Sequence, residues 1–307
     1  MFKENIPLVE FTSYKIGGPA RYFFEARNLD ELGDALREAG GRNLEIFILG
    51  GGTNLLMSDE GFDGLMLKPK FDGIEISGDA VRTGAGVLMS ELLDFFILHG
   101  LNGFEWAGGL PGTVGGAIRG NAGAFGGEMK DVITSVRSFD IETLQEVKRE
   151  ASACDFGYRS SVFKKREGKE IILSTTFTLK RGDRETVQKS IYEKINYRRE
   201  RHPWEYPNIG SIFKNVDAGK VPPSRLSVLE KVIKTDPMPV VPAAYLISEA
   251  GLKGVSFGGA MISPKHPNFI VNVLHAKASD VKTLIQLVKN EVAEKFGIIL
   301  EEEIQML

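Results

Sequence analysis

Cysteine is nearly absent. The 307 residues contain one, Cys154, so an intrachain disulfide is excluded. The four histidines have no spacing that suggests metal ligation, and one cysteine cannot complete a thiolate site. Long apolar runs are missing as well. No window approaches the roughly 20 residues of a membrane-spanning helix. The opening MFKENIPLVEF carries charges where a secretory leader has its apolar stretch. Nor is there a basic excess. Lys and Arg number 38 against 41 Asp and Glu, the net charge is −3 and the pI is about 5.9. That balance argues against nucleic acid or a membrane surface as partner. A cytoplasmic monomer is the expectation, and the length is enough for two domains.

The apolar pattern mixes helix and strand. NLDELGDALREAGG reads as a helix capped by Asn28 and ended by Gly40 or Gly41. LEIFIL, residues 44–49, is a short buried strand leading into a glycine turn, and DAVRTGAG suggests another strand. LMSELLDFFILHG is a helix closed by Gly100. ITSVRSFDIETLQEVKR reads as a hairpin turning near Glu142–Thr143, and EIILSTTFTLKRG as a further strand. Residues 181–207, with a charged helix and then HPWEYPN, read as the link into a second part. The turns VPPS and DPMPVVP follow. That part has AAYLISEAG as a helix, then a longer one with Val281, Leu284, Ile285, Val288 and Val292 on one face, stopped by Gly297. The closing IILEEEIQML reads as a strand. This is more strand than a Rossmann unit contains.

Glycine is abundant, and in two places it is crowded. ILGGGTNLL, residues 48–56, follows a strand. GGLPGTVGGAIRGNAGAFGGE, residues 108–128, holds nine glycines. Bare backbone lets main-chain N–H groups approach an anion or a flat ring with no Cβ between them. Neither loop has the G-x-G-x-x-G or the Gly-Lys-Ser/Thr signature, so a nicotinamide Rossmann site and a P-loop are disfavoured. Tight turns remain the alternative for the first loop. For the second, the number of glycines points to a planar ligand.

TSYKIGGPA, LGGGTNLL and AGGLPGTVGGAIRGNAGAFGGE, in that order, resemble the FAD domain of the UDP-N-acetylenolpyruvoylglucosamine reductases, the MurB family. The likeness continues through YRSS, GSIFKN, AYLISEAGLKG, GGAMISPKHPNFIVN and LEEEI. It implies an α+β chain. A two-part FAD-binding domain of the vanillyl-alcohol-oxidase (PCMH) type would span residues 1–200, split near residue 70. An α/β substrate-binding domain would span 201–307, its last strand returning to the active site. It implies non-covalent FAD, with Gly50, Gly51, Gly52, Thr53, Asn54 and Leu55 at the diphosphate. Gly108, Gly109, Pro111, Gly112, Thr113, Gly115, Gly116, Ala117, Gly120, Asn121 and Gly123 would lie along the cofactor.

The reaction this resemblance implies adds hydride, drawn from NADPH by way of FAD, to the β-carbon of an enolpyruvyl ether, and a proton to the α-carbon. The small-molecule partner is then UDP-N-acetylglucosamine enolpyruvate and the product UDP-N-acetylmuramate. Such chemistry needs a cation at the carboxylate, a proton donor at the α-carbon and a dry site. By resemblance these are Arg159 in YRSS as cation, Ser211 in GSIFKN as proton donor, and Glu303 in LEEEI. On residue chemistry alone, Arg159 reads as a surface salt-bridge arginine and Ser211 as a turn serine after Gly210. If LEEEI is a strand, Glu301 and Glu303 share a face, and a shift of register would exchange them. Whether the glutamate polarises the substrate or orients the arginine stays open, as does NADPH against NADH.

By the same resemblance Asn215, Lys253 and His266 match positions that contact the UDP-sugar, and Tyr158 would pack near the flavin, with an ordinary core residue as the alternative. Arg198, Arg199 and Arg201 suit either a diphosphate or a solvated helix end. His202 and Val216 depart from the pattern and leave the three catalytic positions intact. The chain resembles the shorter, type II members, which lack the loop that closes over substrate. Two other readings compete: an oxidase of the same FAD fold, and a nucleotide-sugar binding module with no flavin.

Overall fold

A computed structural model describes residues 1–235 and 238–307; Leu226 is described only by its main chain. Asp236 and Pro237, which open the DPMPVVP turn, lie outside the described residues. The chain forms two compact units. One comprises residues 1–6, 20–51 and 62–198, the other 7–19, 52–61 and 199–307.

The first unit has two sheets. One is ordered Lys3–Pro7, Pro19–Ala26, Phe62–Pro69, Ile46–Ile48, with the last two pairings parallel. The helix Leu29–Gly41 covers it. Asn28 accepts from the Glu31 N–H at 2.8 Å, so the cap read from sequence is present. The other sheet is antiparallel throughout, ordered Gln145–Glu150, Ile133–Asp140, Glu170–Thr178, Ala80–Gly84, Ile74–Ser77. The sheets divide between Pro69 and Ile74, yet they share apolar packing. Leu32, Leu36, Leu65 and Leu67 cluster with Phe139, Ile171 and Leu173. At the hairpin tip Asp140 accepts from the N–H groups of Glu142 and Thr143, and these bonds hold its carboxyl below the usual range. The helix Met89–His99 ends on Gly100 at φ +59°.

Residues 181–207 are not a free link. The helix Arg184–Arg201 buries Val187 and Ile191 in the core of the first unit, beside Trp106 and Val114. Burial of that face, not the charge on the rest, decides where the segment belongs. The break falls between Arg198 and Arg199.

In the second unit the helix Ala278–Phe296 buries Val281, Leu284, Ile285, Val288 and Val292, the face read from sequence. It packs with Tyr14, Ile16, Leu56, Ile212 and Phe213. Two early segments therefore join this unit. The Tyr14 hydroxyl donates to the Ile270 carbonyl at 2.8 Å. Asp59 accepts from the N–H groups of Ala278 and Ser279 at 2.6 and 3.0 Å, capping the long helix from 219 residues away. The C-terminal strand expectation is corrected. Only Gln305–Met306 is strand, parallel to Leu55–Leu56, and Glu302 makes a single bridge to Phe213. Its partners are too short to support a longer ladder. Among the described residues no helix is long and apolar enough to cross a membrane.

Candidate active site

In the first unit the two glycine loops meet. A Cβ at Gly50 would lie 3.2 Å from Thr113 Oγ1, and one at Gly51 would lie 2.7 Å from Gly112 Cα. Thr113 caps the short helix Val114–Arg119, accepting from the Gly116 N–H at 3.3 Å. Ala117, on the inner face of that helix, is part of the core.

Most of the glycines of 108–127 have reasons inside the chain, which qualifies the planar-ligand reading. A Cβ at Gly108 would meet the Ile191 carbonyl oxygen at 2.5 Å. At Gly115 it would meet Ala85 Cβ at 3.0 Å, at Gly123 Glu128 Cγ at 2.7 Å, and at Gly127 Trp106 Cδ1 at 2.3 Å. Gly109, Gly112 and Gly126 have φ of +74°, +98° and +83°. Gly116 and Gly120 remain. Their nearest contacts would be at 3.5 and 3.7 Å, so the fold itself would accept alanine there. Pro111 is exposed.

Asn121 is fully buried. Its Nδ2 donates to the Gly157 carbonyl at 2.9 Å and its Oδ1 accepts from the Lys130 N–H at 3.0 Å. Its side chain therefore ties the glycine stretch to the turn that carries Tyr158 and Arg159. Arg159 has φ +52°, donates through Nη2 to the Gly123 carbonyl at 3.0 Å and stands 5.3 Å from the Tyr158 ring centre. Arg198 donates through Nε to the Gly108 carbonyl at 2.9 Å and lies over Phe125. Its Nη2 is buried without a hydrogen-bond partner. Burial first, and the Arg159 charge second, push its guanidinium down to about 10. Two cations anchored at the two ends of the stretch suit an anionic ligand. Sequence reasoning left Arg198 among three equivalent arginines, and nothing in the sequence marked it out.

In the second unit Gly52 would place a Cβ 2.0 Å from the Phe11 carbonyl oxygen, so packing alone requires glycine. Asn54 donates through Nδ2 to the Glu303 carbonyl at 3.1 Å, and its own carbonyl accepts from Gln305. Leu55 is buried and Thr53 half-buried. The segments that carry Ser211 and Glu303 pair here through their main chains. The Glu303 N–H donates to the Ile212 carbonyl at 2.8 Å, and the Lys214 N–H to the Glu301 carbonyl at 2.9 Å. The three glutamates are distinguished by their surroundings. Glu301 is exposed between Lys214 and Lys220, which hold its carboxyl low. Glu302 pairs with Lys289 at 2.8 Å. Glu303 is half-buried.

Asn215 is in the same segment, its Oδ1 accepting from the Ala243 N–H at 3.2 Å. Lys253 is exposed in the turn after the helix Ala243–Glu249. His266 stacks edge-on against His202 and Phe269. Its Nδ1 is buried without a partner, and burial pushes the ring down to about 4. Sequence reasoning missed Asn268, which is 3% exposed and bonds to both main-chain groups of Phe213.

The chain matches known proteins over its whole length. Residues 20–143 match an FAD binding domain, and residues 202–307 match the C-terminal domain of UDP-N-acetylenolpyruvoylglucosamine reductase. The chain is 39% identical to the enzyme of that name from Caldicellulosiruptor bescii, over 100% of this chain and 90% of the relative. It is also 39% identical to that of Carboxydothermus hydrogenoformans, over 99% and 93%. The crystal structure of the Thermus caldophilus reductase superposes with a TM-score of 0.79 at 29% identity, covering 100% and 99% of the two chains.

Proposed function

The chain belongs to the UDP-N-acetylenolpyruvoylglucosamine reductase family, and on that premise we propose which of its residues carry the reaction. It is an FAD-dependent oxidoreductase of peptidoglycan precursor synthesis, reducing the enolpyruvyl ether of its UDP-sugar substrate to the UDP-N-acetylmuramate product. When bound, FAD supplies the two-electron hydride chemistry between NADPH and the enolpyruvyl group. The open backbone at Gly116 and Gly120 and the unpartnered Nη2 of Arg198 fit a flat, anionic cofactor. Gly50, Gly51 and the 108–123 stretch would hold it.

Arg159 grips the substrate carboxylate as a planar, permanently charged fork. Ser211 holds the proton destined for the α-carbon. Its hydroxyl has no hydrogen-bond partner among the described residues, which leaves it available to a substrate. A serine is a weak acid in water, but beside a developing carbanion in a dry site the balance shifts. Glu303 is the proposed working carboxylate of the triplet, since its main-chain N–H pairs with Ile212, the residue that follows Ser211. Asn215, Lys253 and His266 are proposed contacts of the UDP-sugar, and the chain is proposed to act as a cytoplasmic monomer.

The observation that supports the reading is the main-chain pairing of 212–214 with 301–303, which sets Glu303 against Ile212, the residue that follows Ser211. The test is turnover by the FAD-loaded protein. Without oxygen, NADPH beyond the one equivalent that reduces the flavin should be consumed only when the enolpyruvyl sugar is present, with a product two mass units heavier. Repeated turnover without the sugar, or a sugar of unchanged mass, refutes it.

A further inference from the structure

Ser211 lies in a segment, 210–214, that is too irregular to be a strand and yet is held on two sides. On one side are the main-chain bonds to 301–303. On the other side a single residue does the work of a neighbouring strand. The Asn268 carbonyl accepts from the Ile212 N–H at 2.8 Å. Its Oδ1 accepts from the Phe213 N–H at 3.0 Å, and its Nδ2 donates to the Phe213 carbonyl at 2.9 Å. The carboxamide is buried and can sit only one way round, since Phe213 presents one donor and one acceptor to it. Before the serine, Gly210 turns at φ +81°, with its N–H held by Asn208 Oδ1 at 3.0 Å.

We propose that Asn268 is a positioning residue for Ser211: its carboxamide, paired to both main-chain groups of Phe213, fixes the serine hydroxyl where the α-carbon must receive its proton. Asn268 touches neither substrate nor cofactor in this role. It sets the path of the chain two residues beyond the serine, and proton delivery is sensitive to that path. A misplacement of about 1 Å in such a step costs on the order of a hundredfold in rate. The inference rests on the reading of Ser211 as proton donor.

The test uses the FAD-loaded enzyme under anaerobic conditions, with Asn268→Ala, Asn268→Asp and Ser211→Ala compared to wild type. Asn268→Ala removes both side-chain bonds and leaves the main-chain bond to Ile212. Asn268→Asp keeps the shape but sets an oxygen against the Phe213 carbonyl. For both, FAD affinity and reduction by NADPH should stay within about twofold of wild type. Reoxidation by the enolpyruvyl sugar should slow by roughly 10- to 100-fold, with a larger solvent isotope effect and little change in KM. Unchanged reoxidation in both Asn268 variants, beside a disabled Ser211→Ala, overturns the inference and leaves the serine reading standing. Equal losses in both half-reactions overturn it too, because that is general disorder. Wild-type reoxidation by Ser211→Ala overturns the serine reading and this inference with it.

Discussion

The main-chain N–H of Glu303 donates to the carbonyl of Ile212 at 2.8 Å, so the last carboxylate of an acidic triplet is fixed beside the residue that follows Ser211. The bond lies between residues 91 apart in sequence and depends on neither side chain. It sets the register of Glu301, Glu302 and Glu303 against the serine segment, and with it which carboxylate can work.

The register predicts a sharp difference between two conservative substitutions. Glu303→Gln should lower kcat by a hundredfold or more, with FAD binding intact. Glu301→Gln breaks only exposed ion pairs with Lys214 and Lys220 and should stay within a few fold of wild type. Steady-state kinetics on both decide it. Full turnover in Glu303→Gln would reassign the catalytic role.

The glycines divide into those the fold requires and those a ligand would require. Gly127→Ala forces a methyl to within 2.3 Å of the Trp106 ring, and the apoprotein should lose stability and change its tryptophan emission. Gly116→Ala meets nothing closer than 3.5 Å. In a helix that exchange gains up to about 1 kcal/mol. The melting temperature of the Gly116→Ala apoprotein should hold or rise while its FAD affinity falls. Unchanged affinity would remove Gly116 from the cofactor surface.

Much of the fold was legible because its signals are local. Asn28 before an acidic first turn and the apolar face of Val281 to Val292 are both readable within a few residues. What was not legible is long-range. Asp59 caps a helix 219 residues away, and Leu55–Leu56 pairs with the final strand. Periodicity in IILEEEIQML suggested a continuous strand, but two-residue partners cannot sustain one. At the site, composition pointed to glycine-lined backbone without saying which glycines were needed for packing. The residues Arg159, Ser211 and Glu303 came from resemblance alone. Asn268 gave no signal, because a buried asparagine looks the same in sequence as a turn asparagine.

His266 makes stability depend on pH. Its folded value of about 4 lies below the ordinary 6.5, so between those limits the unfolded chain binds more protons than the folded one. Stability should be fully present above about 6.5 and fall as the pH drops toward 4. Denaturant melts across that window should show the slope, and His266→Phe should flatten it. An unchanged slope would mean the ring is not held neutral by burial.

The most direct measurement is an anaerobic, two-step flavin spectrum of the FAD-loaded wild type and Ser211→Ala. In both, NADPH should bleach the flavin at similar rates. Added UDP-N-acetylglucosamine enolpyruvate should restore the oxidised spectrum in the wild type without oxygen, and should fail to do so in Ser211→Ala on the same timescale. Reoxidation of the variant at the wild-type rate would contradict Ser211 as the proton donor. A wild-type flavin that only oxygen reoxidises would contradict the account as a whole.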